Sequence, residues 1–476
     1  MKKSDLNELA EIEGVTVLGD KPSLYRYSYD GMKRSFLPSL VLQIHLAEAV
    51  GSILKLANKK KIPVVTRGSG SSLTGSATPV RGGWVMDLSG LNKVRIDTNN
   101  RLCQVQSGVV VEKLQAAARK KNLYYPPDPS SVQWCTIGGN IACNAGGLHC
   151  TKYGVTRDYV LGLKGYLPTG EFVEWGRPTR KFATGYNIRD LWVGSEGTLG
   201  VITEAYLRLI PKPTTRWATL AIFATEEKAL RASLELLKRG VQPAVMEFLD
   251  ILSVKGAEKA IGKPLFSGAK TGAVLLIELD GTLLSVREEK KECLEWLREK
   301  ALNFSQAKTE KAIEQLWSVR KKCSSAMFEL GDLKLNEDIS VPLDKQVTLI
   351  RFVKKLRYKS QLPIAVFGHA GDGNLHVNIM YHSNKIKEKQ QAARAVDSLM
   401  KEVVALGGAI SGEHGVGLAK TPFMSDQFRS IEIETMKKIK KVLDPHNILN
   451  PDKLFTAFAM WKMDPVNVKL PWDHRK

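Results

Sequence analysis

The 476-residue chain contains no apolar run approaching the ~18 residues needed to span a bilayer. Nor does an apolar segment follow Met1-Lys2-Lys3, so a cleaved secretory leader is not expected. Six cysteines, at 103, 135, 143, 150, 293 and 323, are too few and too scattered to staple a chain of this length. The spacings among Cys135, Cys143 and Cys150 match no Cys-x-x-Cys zinc or iron–sulfur pattern, so these read as packing cysteines. Repeats and low-complexity segments are also lacking. With 43% hydrophobic and 25% charged residues the composition is that of a globular protein, the length allows two or three domains, and a soluble cytoplasmic protein is expected.

What the chain has in excess is positive charge, 70 basic against 49 acidic residues, a net +21. A nucleic-acid binder would gather that charge in one stripe with interleaved aromatics. Here it is spread along the chain, with short clusters at 59–61 and 437–441, so no nucleic-acid partner is expected. The preferred reading is a lysine-rich solvated surface. The alternative is a face for an acidic partner, or a peripheral contact at the inner face of an anionic membrane.

Hydrophobic periodicity predicts an amphipathic helix over 40–60, then strands at 61–66, 84–88, 102–106 and 201–209. Pro211-Lys212-Pro213 breaks the pattern. It restarts with strands at 217–223 and 274–279, helices at 225–240 and 284–301, and a basic helix at 430–443. The tail beyond 456, with Trp461 and Trp472 among lysines, reads as a packed terminus or a docking segment.

Three glycine-rich segments interrupt the first half. The first is Arg67-Gly68-Ser69-Gly70-Ser71, continuing to Gly75; it follows a strand and is neither a dinucleotide fingerprint nor a Walker loop. Its successive backbone N–H groups and hydroxyls can still form a nest for a pyrophosphate. The second runs from Pro126-Pro127-Asp128 through Thr136-Ile-Gly138-Gly139-Asn-Ile-Ala-Cys-Asn144-Ala-Gly-Gly147, then Lys152-Tyr-Gly154. The third is Gly194-Ser-Glu196-Gly197-Thr-Leu-Gly-Val-Ile202. Glycines this dense destabilise a helix or strand by ~1 kcal/mol each, and persist where a large flat ligand needs the backbone close.

Two histidines lie in Phe367-Gly-His369-Ala-Gly-Asp-Gly-Asn-Leu-His376-Val-Asn378, and a third in Ser411-Gly-Glu413-His414-Gly. If Ala370–Gly373 turns a hairpin, His369 pairs with Asn374 and His376 lies diagonally from His369 on the same face, about 7–8 Å away. Both rings then reach one metal ion, and Glu413 supplies a hard oxygen, leaving an open two-His, one-carboxylate site for zinc or manganese. His414, adjacent to Glu413, is left to act as a base.

The order of the three glycine segments, followed by Asn447-Ile-Leu-Asn450-Pro451, resembles the flavoprotein family of vanillyl-alcohol oxidase and p-cresol methylhydroxylase (PCMH). The branch is that of D-lactate dehydrogenases, the glycolate oxidase catalytic subunit and D-2-hydroxyglutarate dehydrogenases. The resemblance covers roughly residues 35–456. It implies an α+β fold: a PCMH-type FAD domain of two α/β subdomains (37–211) after a lead-in (1–36), an α+β cap with an antiparallel sheet (212–424), and a returning helical segment (425–476). It also implies that 67–75 holds the FAD pyrophosphate, that 128–147 and 194–202 surround the adenosine and isoalloxazine, and that Asn450 reaches the cofactor. Ser71 stands where covalent relatives carry histidine, so FAD is expected to bind non-covalently. His149 reads as structural.

In that family the His369, His376 and Glu413 positions match the divalent-metal ligands, His414 the base, Arg320 the clamp on the substrate carboxylate and Asn378 a further substrate contact. The expected activity is oxidation of a small D-2-hydroxy acid, D-lactate or glycolate ahead of D-2-hydroxyglutarate, because no second cation is evident for a distal carboxylate. Electrons would pass to an electron-transferring flavoprotein, an iron–sulfur subunit or a quinone. A non-redox relative such as an alkylglycerone-phosphate synthase, a subunit that only relays electrons, and a nucleic-acid binder are the rival readings.

Overall fold

A computed structural model describes residues 3–262, 271–307, 309–458 and 463–471. Trp461 and Trp472 lie outside the described residues. The chain forms two compact units. The first takes residues up to Gly147, Val155–Lys212 and the C-terminal segment from His414; the second takes Leu148–Gly154 and Pro213–Glu413. The sequence-based divisions at 211/212 and 424/425 thus stand beside contact-based ones at 212/213 and 413/414.

The first unit holds two main sheets. One is four-stranded, in the order Val15–Leu18, Leu40–Ile44, Trp84–Asp87, Val64–Arg67, and its last three strands run parallel. The other is a five-stranded antiparallel sheet, in the order Val94–Asp97, Leu102–Gln106, Val201–Arg208, Val160–Tyr166, Phe172–Gly176. The amphipathic helix expected over 40–60 is instead the strand Leu40–Ile44 followed by the helix Glu48–Lys60. Leu40, Val41, Leu42 and Ile44 are fully buried in a strand with neighbours on both sides, and such continuous apolar runs do not distinguish helix from strand by period. The C-terminal segment closes back on the first sheet: Val64 N–H donates to Ile448 O, and Asn450 N–H to Val64 O, at 2.7 and 2.8 Å.

The second unit is built on one antiparallel seven-stranded sheet. Its order is Asn303–Ala307, Thr215–Phe223, Ala273–Gly281, Val245–Asp250, Ile364–His369, Asn374–Tyr381, Leu333–Ser340. The helices Ile251–Ile261 and Glu310–Ala326 pack on the face that carries Leu220, Leu249 and Phe367. Trp296, from the helix Leu283–Lys300, meets Phe223 on the opposite face. None of the six cysteines is in a disulfide. No helix among the described residues is long and apolar enough to cross a membrane.

Candidate functional site

The register of the second unit's sheet decides which of its polar groups meet. The strands Ile364–His369 and Asn374–Tyr381 join through a four-residue turn, with Gly373 at φ +84° and its N–H donating to His369 O at 3.1 Å. His369 pairs with Asn374, so His376 lies on the same face and the two imidazole centroids are 5.5 Å apart, edge to face. Glu413, on the segment that ends this unit, places Oε1 3.8 Å from His369 Nε2 and 3.6 Å from His376 Nε2. The structure therefore brings His369, His376 and Glu413 together.

Two carboxylates that the sequence reading did not single out hold this cluster. Glu247 is the register partner of His369 and is fully buried. It accepts from His369 Nδ1 on one oxygen and from Arg320 Nε on the other. An ionised carboxylate only accepts, so the Nδ1 proton is fixed and Nε2 is turned to Glu413. Burial opposes the Glu247 charge, but Arg320 and His369 outweigh it and hold the carboxyl at about 2. Burial likewise opposes charge on His369, yet Glu247 and Glu413 raise the imidazole well above its ordinary value. The field that favours a proton at Nε2 favours a divalent cation there equally well. His369 Nε2 is buried and has no hydrogen-bond partner, the position a metal ligand occupies.

Asp338, opposite His376 in the register, is the second. Its Oδ2 accepts from the Gly412 and Glu413 backbone N–H groups at 3.0 and 2.9 Å and from Ser411 Oγ at 3.2 Å. Its Oδ1 accepts from Asn374 Nδ2 at 2.6 Å. Asp338, His376 and Glu413 each have a ligand atom within 4.8 Å of the others. Because both Asp338 oxygens are already engaged, its evident work is to seat the loop that presents Glu413. A Cβ on Gly412 would fall 2.0 Å from Asn374 Nδ2, so the loop can lie this close only with glycine there. Arg320 is half-buried, with its guanidinium 4.6 Å from the Phe367 ring centroid and its Nε taken by Glu247. Asn378 is fully buried; its Nδ2 donates to His376 O at 3.0 Å, while its Oδ1 has no partner.

In the first unit the glycine segments meet one another. A Cβ on Gly68 would lie 2.2 Å from Thr136 Oγ1, and one on Gly138 2.6 Å from Ser107 Cβ. These glycines let chain segments pack on each other, a demand separate from that of a ligand. Asn144 caps the helix Ile137–Cys143 in the left-handed conformation, with Oδ1 accepting from Arg157 N at 2.9 Å. Pro127 O accepts from Gln115 Nε2 at 2.9 Å. Gly147 packs on the Asp128 carbonyl, where a Cβ would come to 2.1 Å. Ile202 is buried in the five-stranded sheet. Gly154 belongs to the excursion Leu148–Gly154 counted with the second unit.

Arg67 is turned inward, its Nη1 donating to Tyr29 O at 2.7 Å. Gly68, Ser69, Ser71 and Ser72 of that loop are partly exposed, while Gly70, Thr74 and Gly75 are buried. Glu196 is buried and accepts from Ser76 Oγ, Val416 N and Gly417 N at 2.7, 2.7 and 2.8 Å. Burial pushes its carboxyl up despite those donors. Through them it fixes the backbone just beyond His414, whose own carbonyl accepts from Thr74 Oγ1 at 3.3 Å. Asn450 Nδ2 donates to Ser76 O and Glu196 O at 2.8 and 2.7 Å, tying together the first and third glycine segments. Its Oδ1 is buried without a partner. That orphaned oxygen, with the partly exposed glycine loop running to Ser76, fits a bound dinucleotide.

Residues 38–176 match the family described as an FAD binding domain, and residues 212–454 the C-terminal domain of FAD linked oxidases. The glycolate oxidase subunit GlcD of Bacillus subtilis is 37% identical over 440 residues, covering 91% of this chain and 92% of that one. A D-lactate dehydrogenase of Anaerostipes hadrus is 35% identical over 88% of this chain and 89% of its own. Among solved structures, p-cresol methylhydroxylase with substrate bound superposes with a TM-score of 0.78 at 17% identity, covering 96% of this chain and 98% of that one. An alkyldihydroxyacetonephosphate synthase gives 0.74 at 20% identity, covering 95% and 85%. These two show the fold alone, an α+β fold of PCMH type. The chain belongs to the FAD linked oxidases, and it is an FAD-dependent oxidoreductase related to glycolate oxidase subunits and D-lactate dehydrogenases.

Proposed function

We propose that the protein oxidises a small D-2-hydroxy acid, D-lactate or glycolate, to the 2-oxo acid, with non-covalent FAD and a divalent zinc or manganese ion. The observation that carries this reading is the cluster of the buried His369 and His376 with the half-buried Glu413, one Glu413 oxygen facing both imidazoles. Bound FAD would supply the hydride acceptor for C2 of the substrate. A divalent ion held by His369, His376 and Glu413 would supply charge stabilisation for an oxyanion.

The chain's own groups account for the rest. His414 follows Glu413 on the same peptide, and its imidazole takes the hydroxyl proton. Arg320 meets the substrate carboxylate with the N–H groups that Glu247 leaves, and Glu247 fixes the plane of the guanidinium. Asn378 Oδ1 is a further contact. Asn336 is the register partner of Asn378, and its Oδ1 is also buried without a partner. The electrons leave to an electron-transferring flavoprotein, an iron–sulfur subunit or a quinone.

The test is an anaerobic absorbance titration with D-lactate, L-lactate, glycolate and D-2-hydroxyglutarate. Bleaching of the flavin by D-lactate or glycolate is the expected result. A flavin that none of them reduces would overturn the proposal.

A further inference from the structure

The strand Phe172–Gly176 runs into eleven consecutive exposed residues, Arg177–Asn187, which form neither helix nor strand. Tyr186 is 92% exposed and Phe182 46%. Large rings on the surface have no gain in water, and gathered together they mark a contact site. Glu174 pairs with Arg177 at 3.4 Å and Asp190 accepts from Asn187 Nδ2, and four further positive charges, Arg101, Arg180, Lys181 and Arg208, gather beside them. Arg180 Nη2 donates to the Asn100 and Arg101 carbonyls at 3.3 Å each, which draws the loop against the turn between the strands Val94–Asp97 and Leu102–Gln106. Arg208 pairs in register with Leu102 and so stands next to Arg101. Arg101, Arg180, Lys181 and Arg208 are all exposed. Partial burial, then repulsion from Arg208 and Arg101, lowers the Arg180 guanidinium below its ordinary value. Like charges held this close gain only when an anion meets them.

We propose that the Arg177–Asn187 loop, with Arg101 and Arg208 beside it, docks the protein on an anionic phospholipid surface. Aromatic rings settle at the headgroup level of a bilayer, and Arg and Lys beside them meet the lipid phosphates. An acidic protein would satisfy the charges as well. It would also need a fixed apolar surface to complement, and these rings sit on irregular backbone, whereas a fluid interface demands no fixed shape. The loop also gives part of the net charge of +21 a use.

The test is co-sedimentation of the FAD-loaded protein with vesicles of equal phosphatidylglycerol and phosphatidylcholine, and with pure phosphatidylcholine vesicles. The expected result is binding to the anionic vesicles in 0.1 M salt, weakened by added salt, with little binding to the neutral ones. Each basic residue at such a surface contributes about fivefold in affinity, so Arg180→Glu with Lys181→Glu should weaken binding by on the order of 25-fold or more. Phe182→Ser with Tyr186→Ser should also weaken it. Tyr186→Trp should show a blue-shifted emission on anionic vesicles. Flavin content and substrate reduction of the flavin should be unchanged in all three, since the loop is exposed and outside the candidate site. Failure to bind anionic vesicles would overturn the proposal. So would binding that neither double variant weakens, or an acidic protein captured through this loop without vesicle binding.

Discussion

Glu247→Gln should damage the second unit more than any single change at its surface, for reasons that can be put in numbers. The wild-type carboxyl is held at about 2 against an ordinary 4.5, which corresponds to about 3 kcal/mol of stability near neutral pH. Breaking a buried ion pair from one side costs about 3–5 kcal/mol, because the other charge is left uncompensated. Gln keeps the shape, but its one oxygen cannot accept from both Arg320 Nε and His369 Nδ1, and its amide would point a donor at one of them. For a unit of this size, 3–5 kcal/mol lowers the melting transition by roughly 6–20 °C. The assay is thermal unfolding followed by circular dichroism, reading the transition assigned to the second unit because two units need not melt together.

The pH dependence has a definite sign. Glu247 has a depressed pKa, so its stabilisation is complete above about 4.5 and is lost as pH falls toward 2. The wild type should lose stability across that window, and the variant should lose less. Metal affinity should fall about 10–100-fold, since the His369 ring is no longer held by its Nδ1 proton. A variant that melts within about 2 °C of wild type, with its metal retained after dialysis, would refute the reasoning.

Three further outcomes follow from the same geometry. His414→Ala should lower turnover by about 10²–10⁴-fold while FAD stays bound; wild-type turnover would remove His414 as the base. Chelation should abolish flavin reduction by substrate, with zinc or manganese restoring it, and activity surviving full metal depletion would refute the metal role. Asp338→Asn should leave one oxygen where two now accept, so either the donors of the 411–413 segment or Asn374 Nδ2 would face an NH₂ group. A stability loss of about 2–4 kcal/mol is expected, with weaker metal binding but unchanged FAD content; unaltered metal affinity would show that this loop does not depend on Asp338.

How far the sequence could reach is plain from where it stopped. The strands at 102–106 and 201–208 and the helix at 430–443 were legible because their apolar periods are short-range properties. The turn at 370–373 was legible too, because two glycines flank Asp372, and the pairing of His369 with Asn374 follows from its length. Leu40–Ile44 was misread because a strand buried on both sides has no period of two to show.

Glu247 and Asp338 escaped for a related reason. Each is one of two acids in its strand, Val-Met-Glu-Phe-Leu-Asp and Leu-Lys-Leu-Asn-Glu-Asp-Ile-Ser, where a carboxylate reads as the solvent-facing member of an alternation. In a sheet covered on both faces there is no solvent-facing member. Their partners lie far along the chain, His369 at 122 residues and the Glu413 amide at 75, so no local window joins them. One signal was available: an acid that cannot face water in a covered sheet must be paired with a cation or a set of donors. In the structure those partners are Arg320 and His369 for Glu247, and Asn374 with the 411–413 donors for Asp338. The meeting of His369 and His376 could thus be read from their own spacing, whereas the groups that orient them became visible only with the register, since a supporting carboxylate is defined by what it faces.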